Sequence, residues 1–344
     1  MRSGREWRLS RGFAGAVLAA CALLALPHDA ARAQAGAPAP DAGRVSMLFT
    51  ALGKDGKFVE GLKAEDLRVT VDGSPREVLE LRRQSNTPLF LAVALDTSAS
   101  QERLLPSIKI AADYFVRGMV VVGVDKAAVV TFGGEAVLEQ DITGNLQRVR
   151  QAIARVQFVP PPGWRGGGIV VGTPHDPGFR NAASTAIWDA VWLVSNDVLP
   201  RSLGPGRRAV LLVTDGVDTS SRMKMSEAVA AALKSEVVVY AVGIGDDKDY
   251  DGVEEGPLRK LAAQTGGRAY FPKKGRDLNE VFHRVAEELT SQYVLTFAPQ
   301  RAARDGSFHK VEIKLANPAL RSPAVELAYP QGYYAGNAPT AVKR

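Results

Sequence analysis

Hydrophobic positions along this chain follow two textures. Over 44–81 apolar residues come in short runs, at 44–52, 58–59, 67–71 and 78–81. Asp55-Gly56 and Asp72-Gly73 separate them, and an Asp-Gly pair between apolar runs signals a tight turn. This block predicts strands and almost no helix. From Leu89 to about Leu289 the texture changes. Buried-strand runs at 91–95, 127–132, 207–213 and 236–242 alternate with helical periods at 104–116, 146–156, 187–199, 258–263 and 278–289. Short strand-like runs then return at 292–298, 309–315 and 324–329, with Asp305-Gly306 as a turn.

Alternating strands and helices predict an α/β fold, a doubly wound and mostly parallel sheet with helices on both faces. The two flanking β blocks are most simply paired with each other, so that the α/β domain is inserted into a smaller, split β domain. The expected organisation is a signal peptide over 1–33, a flexible Ala/Pro/Gly-rich lead over 34–43, and β segments over 44–86 and 291–335. The α/β domain spans 88–290 between them, and a disordered tail covers 336–344. Within the α/β block, 159–183 is rich in Pro and Gly and reads as a long loop.

The leader changes the charge picture. Arg2, Arg5, Arg8 and Arg11 precede an apolar run over 12–26, short for a membrane span, and Ala31-Arg32-Ala33 offers a small-x-small cleavage site. The expectation is a secreted, periplasmic or cell-surface protein. Processing as a lipoprotein at Cys21 is the second choice, because the apolar run continues past it. Segment 1–33 holds five Arg, one Glu and one Asp, so its removal lowers the formal charge from +6 to +3. That mild basicity, with no basic stripe interleaved with aromatics, argues against a nucleic-acid partner. No later stretch is long and apolar enough to predict a span. Cys21 is the one cysteine, so the mature fold has no internal disulfide and rests on its core. At 46% hydrophobic and 23% charged residues, a full core is available.

The candidate chemistry sits at strand ends. The run Leu91 to Leu95 breaks into Asp96-Thr97-Ser98-Ala99-Ser100, which places one carboxylate and two hydroxyls at alternate positions before a helix. Open α/β sheets place their sites at the carboxyl ends of strands, and oxygen ligands suit a hard cation. A second strand ends in Thr214-Asp215-Gly216, and Thr185 opens the helical run that follows the long loop.

Asp-x-Ser-x-Ser, a Thr at a helix start and an Asp after a later strand resemble the von Willebrand factor A domain, over roughly 88–290. The resemblance implies a Rossmann-like sheet and a metal-ion-dependent adhesion site formed by Asp96, Ser98, Ser100, Thr185 and Asp215. It implies Mg²⁺ or Mn²⁺ as cofactor, a protein ligand that presents an acidic side chain to the metal, and no enzymatic activity. Many members of that family place their glycines directly before the Thr, whereas here 169–184 intervene between Gly166-Gly167-Gly168 and Thr185. The layout, ending in Gly332-Tyr333-Tyr334-Ala335, further resembles secreted bacterial proteins with a VWFA-related domain, common in acidobacteria.

Two other classes compete with a binding module. Leu95-Asp96-Thr97-Ser98 and Val217-Asp218-Thr219-Ser220 resemble the paired loops of aspartic proteases, which would make Asp96 and Asp218 a catalytic pair. A metal-free scaffold would use the same loops only as caps. Blander readings hold elsewhere. Asp218, Thr219 and Ser220 read as a solvated cap for the next helix, and Trp188 and Trp192 as core residues one helical turn apart. Gly243-x-Gly245 lacks the third glycine of a dinucleotide fingerprint, and His175, His283 and His309 have no zinc-ligand spacing.

Overall fold

The computed structural model describes residues 44–84, 87–160, 184–200, 203–245, 252–299, 306–320 and 325–336. The expected leader, the lead over 34–43, Cys21, loop residues 161–183 and the tail from 337 lie outside the described residues. The chain opens with strands β1 (Val45–Leu52), β2 (Leu67–Val71), β3 (Ser74–Arg76) and β4 (Val78–Arg83). Then come β5 (Leu89–Asp96), α1 (Leu105–Met119), β6 (Lys126–Phe132), β7 (Ala136–Thr143) and α2 (Leu146–Arg155). Helix α3 (Ile187–Leu193) follows, with β8 (Arg207–Thr214), α4 (Met225–Lys234), β9 (Val237–Gly243), α5 (Glu255–Thr265), β10 (Ala269–Tyr270) and α6 (Leu278–Thr290). Strands β11 (Tyr293–Phe297), β12 (Phe308–Leu315), β13 (Glu326–Ala328) and β14 (Gly332–Tyr334) close the chain.

The middle block is a doubly wound α/β sheet in the order β10-β9-β8-β5-β6-β7. All pairs are parallel except β6 with β7. Every residue of β5 is buried, which is why its sequence is a continuous apolar run rather than an alternation. Leu89, Leu91, Val93 and Leu95 face a core with α1, α2 and α6. Phe90, Ala92 and Ala94 face the opposite core, with α3, α4 and α5. Strand β7 has little hydrophobic signal because it is an edge strand, with Val137 and Leu138 half exposed beside Glu139 and Asp141. Helix α5 starts at Glu255, three residues before its apolar period, and ends where Gly266 takes a left-handed conformation. The helical run after Thr185 continues from α3 into a π-helical turn over Val194–Val198. Trp188 and Trp192 are half-buried against the second core.

The flanking blocks build two four-stranded sheets, β13-β1-β11-β4 and β14-β12-β2-β3. Their pairs are antiparallel, with Phe49 opposite Tyr293 and Val69 opposite Ile313. Met47, Phe49, Val69, Val71, Leu295, Phe297, Val311 and Ile313 share one core between them. Asp72 (φ 50°) and Gly73 (φ 79°) both sit in the left-handed region, the requirement of the tight hairpin that their Asp-Gly sequence signals. Phe58-Val59 forms only an isolated bridge, Leu52 to Phe58, rather than a strand. The run is too short to pair further.

A polar cluster around the buried Glu288 joins α6, β10 and β13. Arg268 Nε donates to Glu288 Oε2 at 3.2 Å and Nη1 to Glu326 Oε2 at 2.8 Å. Tyr270 OH donates to Glu288 Oε1. Among the described residues, no helix is long and apolar enough to cross a membrane.

Candidate metal centre

Asp96 ends the central strand β5 and is 0% exposed. Its Oδ1 accepts the Ser98 N–H at 2.8 Å, a local Asx bond that bends the chain sharply off the strand. Its Oδ2 accepts the Thr214 hydroxyl at 2.5 Å, which ties the end of β5 to the end of β8. Ser98 Oγ and Ser100 Oγ lie 3.0 Å apart, and Ser100 donates to Asp215 Oδ2. A serine has one hydroxyl proton, so Ser98 is the donor within the serine pair.

Asp215 leaves β8 and is nearly as buried, at 4%. Its Oδ1 accepts the Val217 N–H at 3.1 Å, and its Oδ2 also accepts Gln101 Nε2 at 3.2 Å. The next residue must be glycine. Gly216 has φ +90°, and a Cβ there would stand 2.6 Å from the Glu254 carbonyl oxygen. The loop is held from the β9 side by Ile244 N–H on Thr214 O (2.9 Å) and Glu254 N–H on Asp215 O (2.8 Å).

Thr185 reaches the same end through its backbone. The Gly133 carbonyl, just past β6, accepts the Ala186 N–H at 2.8 Å. A Cβ on Gly133 would lie 3.6 Å from Thr97 Oγ1 and 3.7 Å from Ser184 O, so the first and second loops meet across this glycine. Thr185 is buried, its N–H donates to Thr219 Oγ1 at 2.9 Å, and its carbonyl accepts from Thr219 and Ser220. Asp96, Ser98, Ser100 and Asp215 are thus joined by a chain of side-chain and Asx hydrogen bonds. Thr185 is bonded instead to Thr219 and Ser220, in the segment that follows Asp215.

The segment 218–221 corrects the sequence reading. It does not cap the following helix, which Lys224 begins and Glu227 caps by accepting the Lys224 N–H at 2.7 Å. Asp218 instead accepts the Ile187 N–H at 2.8 Å and the Ser221 hydroxyl at 2.5 Å, closing the start of α3, a helix earlier in the chain. Ser221 in turn accepts the Trp188 N–H at 2.9 Å. Asp218 is therefore spent on α3, and the carboxylate whose charge acts on Asp96 is Asp215. The pairing of Asp96 with Asp218 that a protease reading needs is not the one the strands build.

Electrostatically the site has no counter-charge among the described residues. Burial first, and the Asp215 charge second, push Asp96 up to about 7, against the lowering effect of its bonds to Ser98 and Thr214. Among the described residues no Lys, Arg or His side chain pairs with Asp96 or Asp215. Nor do three His, Cys, Asp or Glu side chains gather anywhere among them in a way that could hold a metal ion. A cation at this end would be held by two carboxylates completed with hydroxyl oxygens. Two participants escape the motif: Thr214, which anchors Asp96, and Gln101, which anchors Asp215. Thr214 sits beside the motif's Asp in sequence and could be suspected. Gln101 gives no signal, because its role depends on β5 and β8 being neighbours.

A von Willebrand factor type A domain model matches residues 179–284, which include Thr185 and Asp215 but not the Asp96 loop. No curated protein matches the chain. Among solved structures, the chain is similar to proximal thread matrix protein 1 from the mussel byssus with a zinc-occupied MIDAS motif. That likeness has 18% identity, 64% of this chain and 50% of that one covered, and a TM-score of 0.47. The chain thus spans half the length of the mussel protein. It is also similar to a von Willebrand factor type A protein from Catenulispora acidiphila, at 12% identity over 85% of this chain and 73% of that one, TM-score 0.46. A third likeness is an aerotolerance-related membrane protein from Bacteroides fragilis, at 18% identity over 58% and 98%, TM-score 0.43. The matched segment spans α3, β8, α4, β9, α5, β10 and the first half of α6, and over it this chain is similar to von Willebrand factor type A domains.

Proposed function

We propose that this chain is an exported binding module that takes a divalent cation, Mg²⁺ or Mn²⁺, at the strand-end loops and uses it to engage a partner protein. The observation that carries the reading is the convergence of Asp96, Ser98, Ser100 and Asp215 with no protein cation among the described residues to neutralise the two carboxylates. That donor set fits a hard cation. Ser98 and Ser100 would offer direct oxygens, Asp96 and Asp215 the charge, and Thr185 a further hydroxyl from the neighbouring loop. Such a cation, with few charged ligands, would supply an open electrophilic position that an Asp or Glu of the partner can fill. Hydroxyls and Asx turns hold the carboxylates in place. The Arg-rich start and the apolar run over 12–26 support export, and N-terminal sequencing of exported protein is expected to begin near Gln34 or Gly36.

The deciding experiment is a thermal melt of the protein with EDTA and with millimolar Mg²⁺ or Mn²⁺. A cation at a hundred times its dissociation constant adds about 2.7 kcal/mol. The melting temperature of the wild type should rise on loading. Asp96→Ala should abolish the rise, because it removes half of the charge. Ser98→Ala should only reduce it. A wild-type melt indifferent to both cations would refute the reading and leave the loops as helix and strand caps.

A further inference from the structure

One polar atom beside the candidate site is buried without a partner among the described residues. Gln101 is 0% exposed and ends the short 3-10 turn Ala99–Gln101 that carries Ser100. Its Nε2 donates to Asp215 Oδ2 at 3.2 Å and to the Ile244 carbonyl at 3.1 Å. A backbone carbonyl and a carboxylate are both acceptors, so chemistry alone orients this amide, with nitrogen toward them and oxygen away. Gln101 Oε1 then has no hydrogen-bond partner among the described residues, although solvent does not reach it. Buried carbonyl oxygens are rarely left so. If the side chain only filled space, a methionine would do it without an orphaned oxygen. If it only held Asp215, the second half of the amide would be a liability.

We propose that Gln101 is a positioning residue of the cation site: its Nε2 fixes the Asp215 carboxylate, and its Oε1 accepts a hydrogen bond from water carried by the bound cation. This rests on the cation-binding reading above. Ser100 and Gln101 share Oδ2 of Asp215, while the Val217 N–H holds Oδ1. Both carboxylate oxygens are therefore oriented before a cation arrives. The amide does this without adding a charge. A lysine in the same place would neutralise the carboxylate and compete with the cation. The orphaned oxygen is the complement of that arrangement, an acceptor with no donor until hydrated metal supplies one.

The test uses the full chain, with Mn²⁺ as probe and its free concentration read by electron paramagnetic resonance. Gln101→Met keeps the length and removes both polar atoms. It should weaken Mn²⁺ binding ten- to a hundred-fold, as loss of groups that orient metal ligands does, while the cation-free melting temperature stays level or rises. Gln101→Asn keeps the amide but withdraws it by one methylene, and should fall between the two. It keeps the question answerable if the methionine variant does not fold. Equal Mn²⁺ affinity in the wild type and both variants would overturn the inference while leaving the cation site standing. A wild type that takes up no Mn²⁺ would overturn both. Retained affinity with a lowered cation-free melt would identify Gln101 as a packing residue only.

Discussion

Two of the places where this fold buries carboxylates answer the charge in opposite ways. At the cluster joining α6, β10 and β13, Glu288 is 3% exposed, yet Arg268 and the Tyr270 hydroxyl meet it directly. At the ends of β5 and β8, Asp96 and Asp215 are as deeply buried and, among the described residues, meet only hydroxyls, an amide and backbone N–H groups. Burial lifts Glu288 and Asp96 alike to about 7, in Glu288 against the pull of Arg268 and in Asp96 with the added push of Asp215. The cluster is self-sufficient. The strand-end site has no positively charged partner among the described residues, and that deficit is what supports the proposed cation.

The sharpest way to break the comparison is to make the cluster resemble the site. Arg268→Met leaves Glu288 buried without a cation and should cost about 3 to 5 kcal/mol in urea unfolding at pH 8, where the carboxylate is charged. The penalty should shrink at pH 5, where Glu288 is neutral in the fold. A change of similar size at both pH values would mean that Arg268 acts by packing, not charge.

Glu288 also carries a pH signature of its own. Its folded value of about 7 lies above that of an unfolded glutamate, so the native state keeps its proton longer. Stability from this group is greatest in acid, falls as pH rises from about 4.5 to about 7, and is flat above, a swing of about 3 kcal/mol. In Glu288→Gln that part of the slope should vanish, as measured by unfolding midpoints from pH 4 to pH 8. A variant with the wild-type slope would place the titration elsewhere.

The smallest effect is expected at the strand-end site. Asp96→Asn keeps an oxygen for the Ser98 N–H and can donate to Thr214 Oγ1, while it removes one of two buried like charges. The cation-free protein should gain roughly 1 kcal/mol at pH 8, since burying an uncompensated charge is what the substitution relieves. A loss of stability in EDTA would show that the carboxylate is needed for the fold itself.

Much of this architecture is written in the order of the residues. The continuous apolar run of β5 declares a strand covered on both faces, because only such a strand can afford no polar position. Asp96-x-Ser98-x-Ser100 declares an Asx bend with hydroxyls on one side, because the Asp-to-N–H bond is local. Asp72-Gly73 declares its hairpin because few other pairs tolerate two left-handed residues. Each of these rests on interactions within a few residues. What only the folded chain decides involves partners far apart in sequence. Strand β1 lies against β11 across nearly the whole chain, β7 is a strand because β6 offers it an edge, and Asp218 closes a helix that precedes it rather than one that follows. Gln101 is the plainest case. Nothing local marks it, and it becomes part of the site because the parallel pairing of β5 with β8 sets the loop after one strand against the loop after the other, where an amide can reach a carboxylate 114 residues away.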